Sequence, residues 1–420
     1  MFKQRKNLVV SVMVAGLLAP LSAMATNGYF AHGYGMKAKG MGGAGIAYGQ
    51  DGLAAATNPA NMVRVGNRVD FGLDVFIPDR KTEVVDNGGA GNKVTYDPNA
   101  DDIFFIPEFG YNQMISNTMS FGISVFGNGG MNTSYKKPIA LFGSTNAGVN
   151  LEQLFISPTF SMKLNDKHSF GVALNLIYQT FEAKGLENFD NTTFSSAPGS
   201  VTNNGKDTST GFSLRLGWTG EITDKVTLGA TYQNKGNMSK FDKYKGLFAD
   251  QGDLDIPETY GVGIKVKATP KVNVAFDITQ INYSGVNAIS NPLLPNLSSS
   301  ALGNSDGAGF AWKDMTVYKL GVDWQTSNDL VLRAGYNHGS QPIPNGETFF
   351  NLLAPGVVED HITAGATWTL QNQSELTFSF LYAMENTVSG SNSIPASFGG
   401  GEANLTMSQM SLGVAYGWKF

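Results

Sequence analysis

From about residue 68 onward, apolar and polar residues alternate with a period of two. That period places them on opposite faces of an extended strand. Val69, Phe71, Leu73, Val75 and Ile77 share one face, and Arg68, Asp70, Gly72 and Asp74 share the other. Phe170, Val172, Leu174, Leu176 and Tyr178 alternate in the same way with Gly171, Ala173 and Asn175. Leu376, Phe378, Phe380 and Tyr382 alternate with Thr377 and Ser379. About fourteen segments carry the pattern: 68–79, 102–114, 118–128, 151–164, 168–183, 210–220, 225–235, 255–267, 271–284, 313–325, 329–338, 359–370, 374–386 and 405–420. Pro107 and Pro158 weaken 102–114 and 151–164, because proline cannot donate to a ladder.

Short links near Ser116-Asn117, Asn165-Asp166-Lys167, Thr223-Asp224, Thr269-Pro270, Ser327-Asn328 and Asn372 alternate without a break with long ones. The long links cover roughly 80–101, 129–150, 184–209, 236–254, 285–312, 339–358 and 387–404. A soluble sandwich has no reason to alternate so regularly. An all-β, transmembrane, antiparallel up-and-down barrel does, with tight periplasmic turns and long extracellular loops. Trp218, Trp324, Trp368 and Trp418 fall at strand ends on the short-turn side, all in the apolar phase, which predicts an aromatic girdle at one membrane interface. The last strand, with Met410, Leu412, Val414, Tyr416, Trp418 and Phe420 on one face, resembles the C-terminal signature of outer-membrane barrels. In those barrels the final aromatic residue, here Phe420, is read by the barrel insertion machinery.

Composition narrows the field. The chain has 420 residues, 51 glycines, no cysteine, 15% charged residues and a net charge of -5. Abundant apolar residues argue against disorder, and the lack of a basic excess argues against nucleic-acid binding. Without cysteine there is no disulfide framework or thiolate metal site. No mature segment holds the roughly 20 apolar residues of a membrane helix. Lys3, Arg5 and Lys6 precede the apolar stretch Leu8 to Ala19 and then Ala23-Met24-Ala25, the layout of a secretory signal peptide over 1–25. Export from a Gram-negative cell to its outer membrane follows, with lipids and lipopolysaccharide around the barrel.

Residues 26–67 do not alternate. Dense in glycine and alanine, they are poor material for a membrane strand and could fold back into the lumen of the 68–420 barrel or form a flexible leader. The polar phase directs Asp70, Asp74, Arg215, Lys265, Asp277, Lys319, Asp323 and Arg333 inward. Charges of both signs suggest a bracing network that grips the N-terminal segment, with Lys37, Lys39, Asp51 and Arg64 as candidates on that segment; a selective pore more often shows one sign. In the outer loops, Leu141-Phe142, Leu247-Phe248, Leu293-Leu294 and Phe349-Phe350 are exposed apolar pairs suited to capturing a hydrophobic ligand. His32, His168, His338 and His361 sit in no metal or nucleophile motif. No catalytic residue, cofactor or metal site is therefore assigned, and the chain is expected not to be an enzyme.

Several elements together resemble the FadL/TodX family of outer-membrane transporters for long-chain fatty acids and other hydrophobic compounds. They are the glycine-rich stretch ending in Asn58-Pro59-Ala60, Leu254-Asp255-Ile256-Pro257-Glu258 before one strand, and Trp312-Lys313-Asp314 before another, in order along the fourteen-strand pattern. The resemblance spans essentially the whole mature chain. It implies a fourteen-stranded barrel with an N-terminal hatch over 26–67, to which Asn58, Pro59 and Ala60 belong, and passive uptake gated by that hatch; a monomer is expected. It also implies a kink in the third strand that opens the wall sideways. Here that strand leaves through Phe126, Gly127, Asn128, Gly129 and Gly130, where glycines favour a bulge; a strand simply ending in a glycine-rich loop reads the same way. Fatty-acid transporters of this kind place cations near the fifth-strand exit. Lys184 is the only cation there, which leaves neutral hydrocarbons open as ligands. Rival readings are a plugged structural or receptor barrel and a general porin for polar solutes. An energised transporter of about 22 strands would need more chain.

Overall fold

The computed structural model describes residues 26–89 and 91–420. The expected signal peptide lies outside the described residues. Fourteen antiparallel strands close the barrel: β1 Arg68–Val85, β2 Phe104–Met114, β3 Met119–Ser134, β4 Gly148–Lys163, β5 His168–Lys184, β6 Asp207–Glu221, β7 Val226–Gln233, β8 Glu258–Thr269, β9 Val272–Asn282, β10 Met315–Gln325, β11 Leu330–Gly339, β12 Asp360–Thr369, β13 Glu375–Val388 and β14 Glu402–Lys419. Each pairs with its sequence neighbour, and β14 returns to β1 from Arg68↔Lys419 to Val85↔Glu402. Closure joins the first strand to the last, the arrangement that lets strands sit in hydrocarbon. Among the described residues no helix is long and apolar enough to cross a membrane.

The alternation becomes two surfaces. Leu412, Val414, Tyr416 and Trp418 are exposed on β14, while Ser411 is buried. Phe170, Val172, Leu174 and Leu176 are exposed on β5, while Ala173 and Asn175 are buried. Trp324, Trp368 and Trp418 are exposed beside the short turns, as the girdle requires. Trp312, the fifth tryptophan, is buried instead against Tyr29 and Tyr283.

Several strands outrun the expected spans. β1 continues to Val85, β3 to Ser134, and β14 begins at Glu402. Apolar alternation stops before these ends because their outward side chains leave the hydrocarbon: Lys81, Glu83 and Lys93 form ion pairs there. Two short strands in the loops, Lys93–Tyr96 and Asn237–Met238, pair with β1 and β6. Pro107 and Pro158 both lie within strands, against the weakening expected of them.

Residues 26–67 run inside the barrel as short helical turns, Met36–Lys39, Ala54–Ala56, Pro59–Asn61 and Met62–Val65, and nearly all are buried. Small residues let this backbone lie directly on the inner wall. At Gly171 on β5, an added Cβ would stand 2.3 Å from the Pro59 carbonyl carbon.

An arginine at Leu412, on the lipid face of the closing strand, is expected to destabilise the barrel by about 2–4 kcal/mol. Denaturant titration of refolding into liposomes measures it. No loss of stability would place β14 outside the hydrocarbon.

Candidate functional site

The wall is continuous except beside the third strand. β2 and β3 pair only from Met114↔Ser120 to Phe109↔Val125. Beyond Val125, β3 stays paired with β4, but its register shifts between Gly127↔Leu154 and Gly129↔Gln153. Asn128 is the extra residue of a β-bulge, which bends and twists the strand away from β2. Pro107 stands two residues beyond the last β2–β3 pair, where a missing N–H breaks no bond between these strands.

The freed edge of β3 is taken up by the N-terminal segment. The Ala31 N–H donates to the Asn128 carbonyl at 2.9 Å, and the Gly130 N–H donates to the Tyr29 carbonyl at 2.9 Å. The Tyr34 hydroxyl donates to Asn128 Oδ1 at 2.9 Å, and Asn128 Nδ2 donates to Gln153 Oε1 at 3.0 Å. A Cβ added at Gly129 would lie 1.8 Å from the Tyr29 carbonyl oxygen, so only glycine allows this contact. Phe126 is buried against Tyr34 and Phe155, and Phe76, Phe104 and Ile106 line the lumen side of the gap with Ala31.

The same segment is bound at its other end. Asn58 Nδ2 donates to the Ile46 carbonyl at 2.7 Å and, on β6, to the Trp218 carbonyl at 2.9 Å, while Asn58 Oδ1 accepts from the Ala60 N–H at 3.0 Å. Pro59 opens a short helical turn, and Ala60 is fully buried. Lys37 pairs with Glu375 at 2.6 Å, and Arg68 joins Glu375 at 2.9 Å and Asp70 at 2.7 Å. Lys39 pairs with Asp74 at 2.7 Å and Glu108 at 3.5 Å. Such buried charges hold only as a paired set, since removing one partner strands the other. His32 stacks on His361 at 6.5 Å. Burial and the nearby Lys39 charge keep His32 neutral, well below its ordinary pKa.

The other inward charges take separate roles. Asp277 accepts from the Gly45 and Ile46 N–H groups at 2.7 and 2.9 Å. Arg333 donates to Gln50 Oε1 at 3.1 Å and Thr367 Oγ1 at 2.7 Å. Asp323 accepts from Asn273 at 2.9 Å, and Lys265 lies over the Tyr48 ring at 4.6 Å. Arg215 donates to the Thr57 carbonyl at 3.2 Å and Gln233 at 2.6 Å. Lys319 makes no ion pair or hydrogen bond among the described residues, although it faces Asp277 across β9 and β10. Arg215 and Lys319 line a lumen cavity of about 50 Å³ together with Phe30, Ala31, Tyr34, Ile46, Ile281 and Val317.

Above the lumen the loops enclose a second cavity, of about 30 Å³, lined by Phe142, Phe181, Phe189, Phe248, Phe310, Phe350 and Leu353 among others. Phe142, Phe248, Phe349 and Phe350 were expected exposed on the loops, but all four are buried. Their rings pack together, Phe142 to Phe349 at 5.1 Å and Phe181 to Phe248 at 4.6 Å, because isolated aromatic pairs on separate loops gain more by stacking than by facing water. Lys184 does not face the lumen. It sits on the outer face of β5, 58% exposed, paired with Glu182 at 3.2 Å. Glu375 and Glu108, central to the network, were missed. Glu108 follows Pro107 in the segment read as weak, and Glu375 sits at a strand start beside a turn.

The Asp51 carboxyl is pushed up to about 7, first by burial and then by the Asp70 charge, with Arg68 and Lys37 pulling it down. An unfolded aspartate titrates near ~3.9. Between these values the folded chain holds a proton that the unfolded chain has released. Stability from this group is thus full below about pH 4 and falls as pH rises through about 7. Asp51→Asn keeps an acceptor for the Leu53 N–H. It is expected to raise the thermal midpoint more at pH 8 than at pH 5 in detergent calorimetry; equal shifts would remove the carboxyl as the cause.

The sequence matches, over residues 22–420, the family described as outer membrane protein transport protein (OMPP1/FadL/TodX). No curated protein sequence matches it. Among solved structures, the Pseudomonas putida toluene transporter TodX is similar at TM-score 0.68 and 20% identity, over 94% of this chain and 100% of that one. A Pseudomonas aeruginosa FadL homologue is similar at TM-score 0.71 and 16% identity, over 94% and 100%. The Ralstonia pickettii toluene transporter TbuX is similar at TM-score 0.64 and 16% identity, over 93% and 99%. These likenesses speak for the shared barrel fold. With nearly its whole length matched, the chain belongs to the OMPP1/FadL/TodX family of outer-membrane transport proteins.

Proposed function

We propose that the protein is a passive uptake channel for hydrophobic compounds, with residues 26–67 as its hatch and the wall beside β3 as its exit. The observation that carries this reading is the edge of β3 beyond Val125, which is paired by residues 29–31 of the N-terminal segment and not by β2. A strand partner in the ladder is fixed, whereas a peptide segment can withdraw. Withdrawal would uncover an apolar gap lined by Phe104, Ile106 and Phe126, through which a greasy molecule passes into the bilayer without crossing water. The phenylalanine cavity in the loops is the first station, and the lumen cavity beside residues 27–34 is the second. The toluene transporters among the similar structures support a hydrophobic cargo. No catalytic step belongs to this reading. A single barrel suffices for it, with the ring of lipids and lipopolysaccharide as surroundings and Phe420 as the mark for insertion.

One observation favours a cargo with an acidic end over a wholly neutral one. Arg215 and Lys319 face the lumen cavity, and neither forms an ion pair with a carboxylate among the described residues. With the lining of this cavity of about 50 Å³ moved apart, a fatty-acid carboxylate would sit beside them and its chain against Phe30, Ile46, Ile281 and Val317. The double variant Arg215→Met with Lys319→Met is expected to cut uptake of labelled oleate by about tenfold or more, the loss of one charge-assisted contact. Toluene uptake should stay unchanged. Equal losses for both would argue against a carboxylate site.

The exit is tested with cysteines, which the natural chain lacks. A Cβ at Gly127 would stand 3.2 Å from Ile106 Cγ2 across the gap. Oxidising the pair Ile106→Cys with Gly127→Cys is expected to block uptake of both cargoes, and a reductant should restore it. Full uptake with the crosslink formed would sink the lateral route.

A further inference from the structure

Above the bulge, one side chain does what strand pairing does elsewhere. Arg80 lies on the lumen face of β1 and is 2% exposed. β2 begins only at Phe104, opposite Phe76, so at the height of Arg80 no full strand stands between β1 and β3. Residues 97–101 fill part of the space. Asn99 docks on β1 through its side chain, accepting from the Arg80 N–H at 3.1 Å and donating to the Arg80 carbonyl at 2.7 Å. On its far side the Ala100 N–H donates to the Ser134 carbonyl at 2.9 Å.

The Arg80 guanidinium spans what remains. Nε donates to Asn99 Oδ1 at 3.0 Å and Nη2 to the Asp101 carbonyl at 2.6 Å. Nη1 donates to Asn132 Oδ1 at 3.0 Å and also to the Asn132 carbonyl on the freed edge of β3. A planar fork of five donors can serve several fixed acceptors at once, which an ammonium cannot reproduce. Without the guanidinium these acceptors would be left unpaired in a partly buried site, where an unpaired carbonyl is costly.

We infer that Arg80 is a staple across the wall: by bonding β1 to the upper arm of β3 it sets the upper limit of the lateral gap. This rests on the lateral route proposed above and adds a second closure to it. The N-terminal segment covers the bulge at Asn128 and Gly130, and Arg80 holds the strand two residues further up, at Asn132. Met131, Trp312 and the stretch Ala354–Gly356 line a small cavity on the lumen side together with Arg80. That stretch follows directly on Leu353, which lines the loop cavity. A cargo that displaces Leu353 therefore acts next on the staple. Arg80 is a positioning residue, since it acts through β3 and not on the cargo.

The test reads the gap itself, apart from any cargo. A single cysteine at Met131, on the lumen face of β3 beside the guanidinium, is labelled in proteoliposomes with a lipid-soluble maleimide. A single cysteine at Val317, on β10 across the barrel, is the control. Adding Arg80→Ala is expected to raise the Met131 site's labelling rate by about tenfold or more, the size expected for lost charge-assisted bonds. Arg80→Lys, which keeps the charge and loses the fork, should raise it less and serves if the alanine variant does not fold. The Val317 site should label at the same rate in every background. An unchanged rate at the Met131 site in folded Arg80 variants overturns the inference, as does an equal rise at both sites. A rise confined to the Met131 site with toluene uptake unchanged keeps the staple and overturns the lateral route instead.

Discussion

In hydrocarbon, a backbone N–H or C=O must find its partner inside the protein, because no water is there to take it. That constraint governs this molecule more than any single contact. It explains why fourteen strands close on themselves through eighteen register pairs between β1 and β14. It also makes the one departure informative. β3 leaves β2 at Val125, yet its exposed edge is not bare: Asn128 and Gly130 are bonded to residues 31 and 29, and Asn132 to Arg80. The rule is obeyed with partners that are not a neighbouring strand. In the proposed route this wall is closed at rest and opens here, because a loop segment and a side chain move at far less cost than a strand.

The N-terminal segment is held differently at its two ends. Toward the short turns it is tied by Asn58 to β6 and by Lys37 and Lys39 to Glu375, Asp74 and Glu108. The lysine pairs are buried, charge-assisted contacts whose loss would strand ions in a dry interior. Near the loops, residues 27–30 are held by the Tyr283 hydroxyl, which donates to the Asn27 carbonyl at 2.7 Å, and by stacking with Trp312 and Tyr283. Aromatic contacts and neutral hydrogen bonds yield more readily than the ion-paired base. In the proposed route, the end that withdraws is therefore the one that covers the third-strand bulge, and the ion-paired base keeps the segment in the lumen.

Much of this was legible in the sequence for a physical reason. A two-faced strand must alternate, and alternating loop length follows from threading a barrel through a membrane, so the fourteen strands and their faces could be read directly. Glycines at 127, 129 and 130 left a bulge or a glycine-rich loop open, and the family resemblance pointed to the kink that the register shift at Gly127 and Gly129 now shows. What could not be read was pairing between distant positions. Glu375 and Glu108 gave no local signal that they would meet Lys37 and Lys39. Arg80 fell in what read as a loop, because its strand extends past the point where lipid demands apolar alternation. The loop phenylalanines were read as exposed because a sequence shows that a loop is apolar, not that separate loops converge. Lys184 stood out for its proximity to a strand exit, and strand parity turns it outward.

The convergence of those loops ties the two cavities to the wall. Phe349 and Phe350 sit on a short helical turn, Thr348–Asn351, whose following carbonyls are fastened to the upper arm of β3: Thr133 Oγ1 donates to the Leu353 carbonyl at 2.8 Å and the Tyr135 hydroxyl to the Leu352 carbonyl at 2.6 Å. On the other side of the turn, Asn351 accepts from Trp312 Nε1 at 2.6 Å, and Trp312 packs on Tyr29. One element of the loop cavity thus touches both partners of the bulge, the strand and the segment that covers it. A close-packed cavity of about 30 Å³ cannot admit a hydrocarbon without moving its lining. Whatever enters there must displace Phe350 or Leu353, and the hydrogen bonds carry that displacement to β3 and through Trp312 to Tyr29. In the proposed route, entry at the loops and opening at the wall are parts of one mechanical unit, driven by the transfer of an apolar molecule out of water.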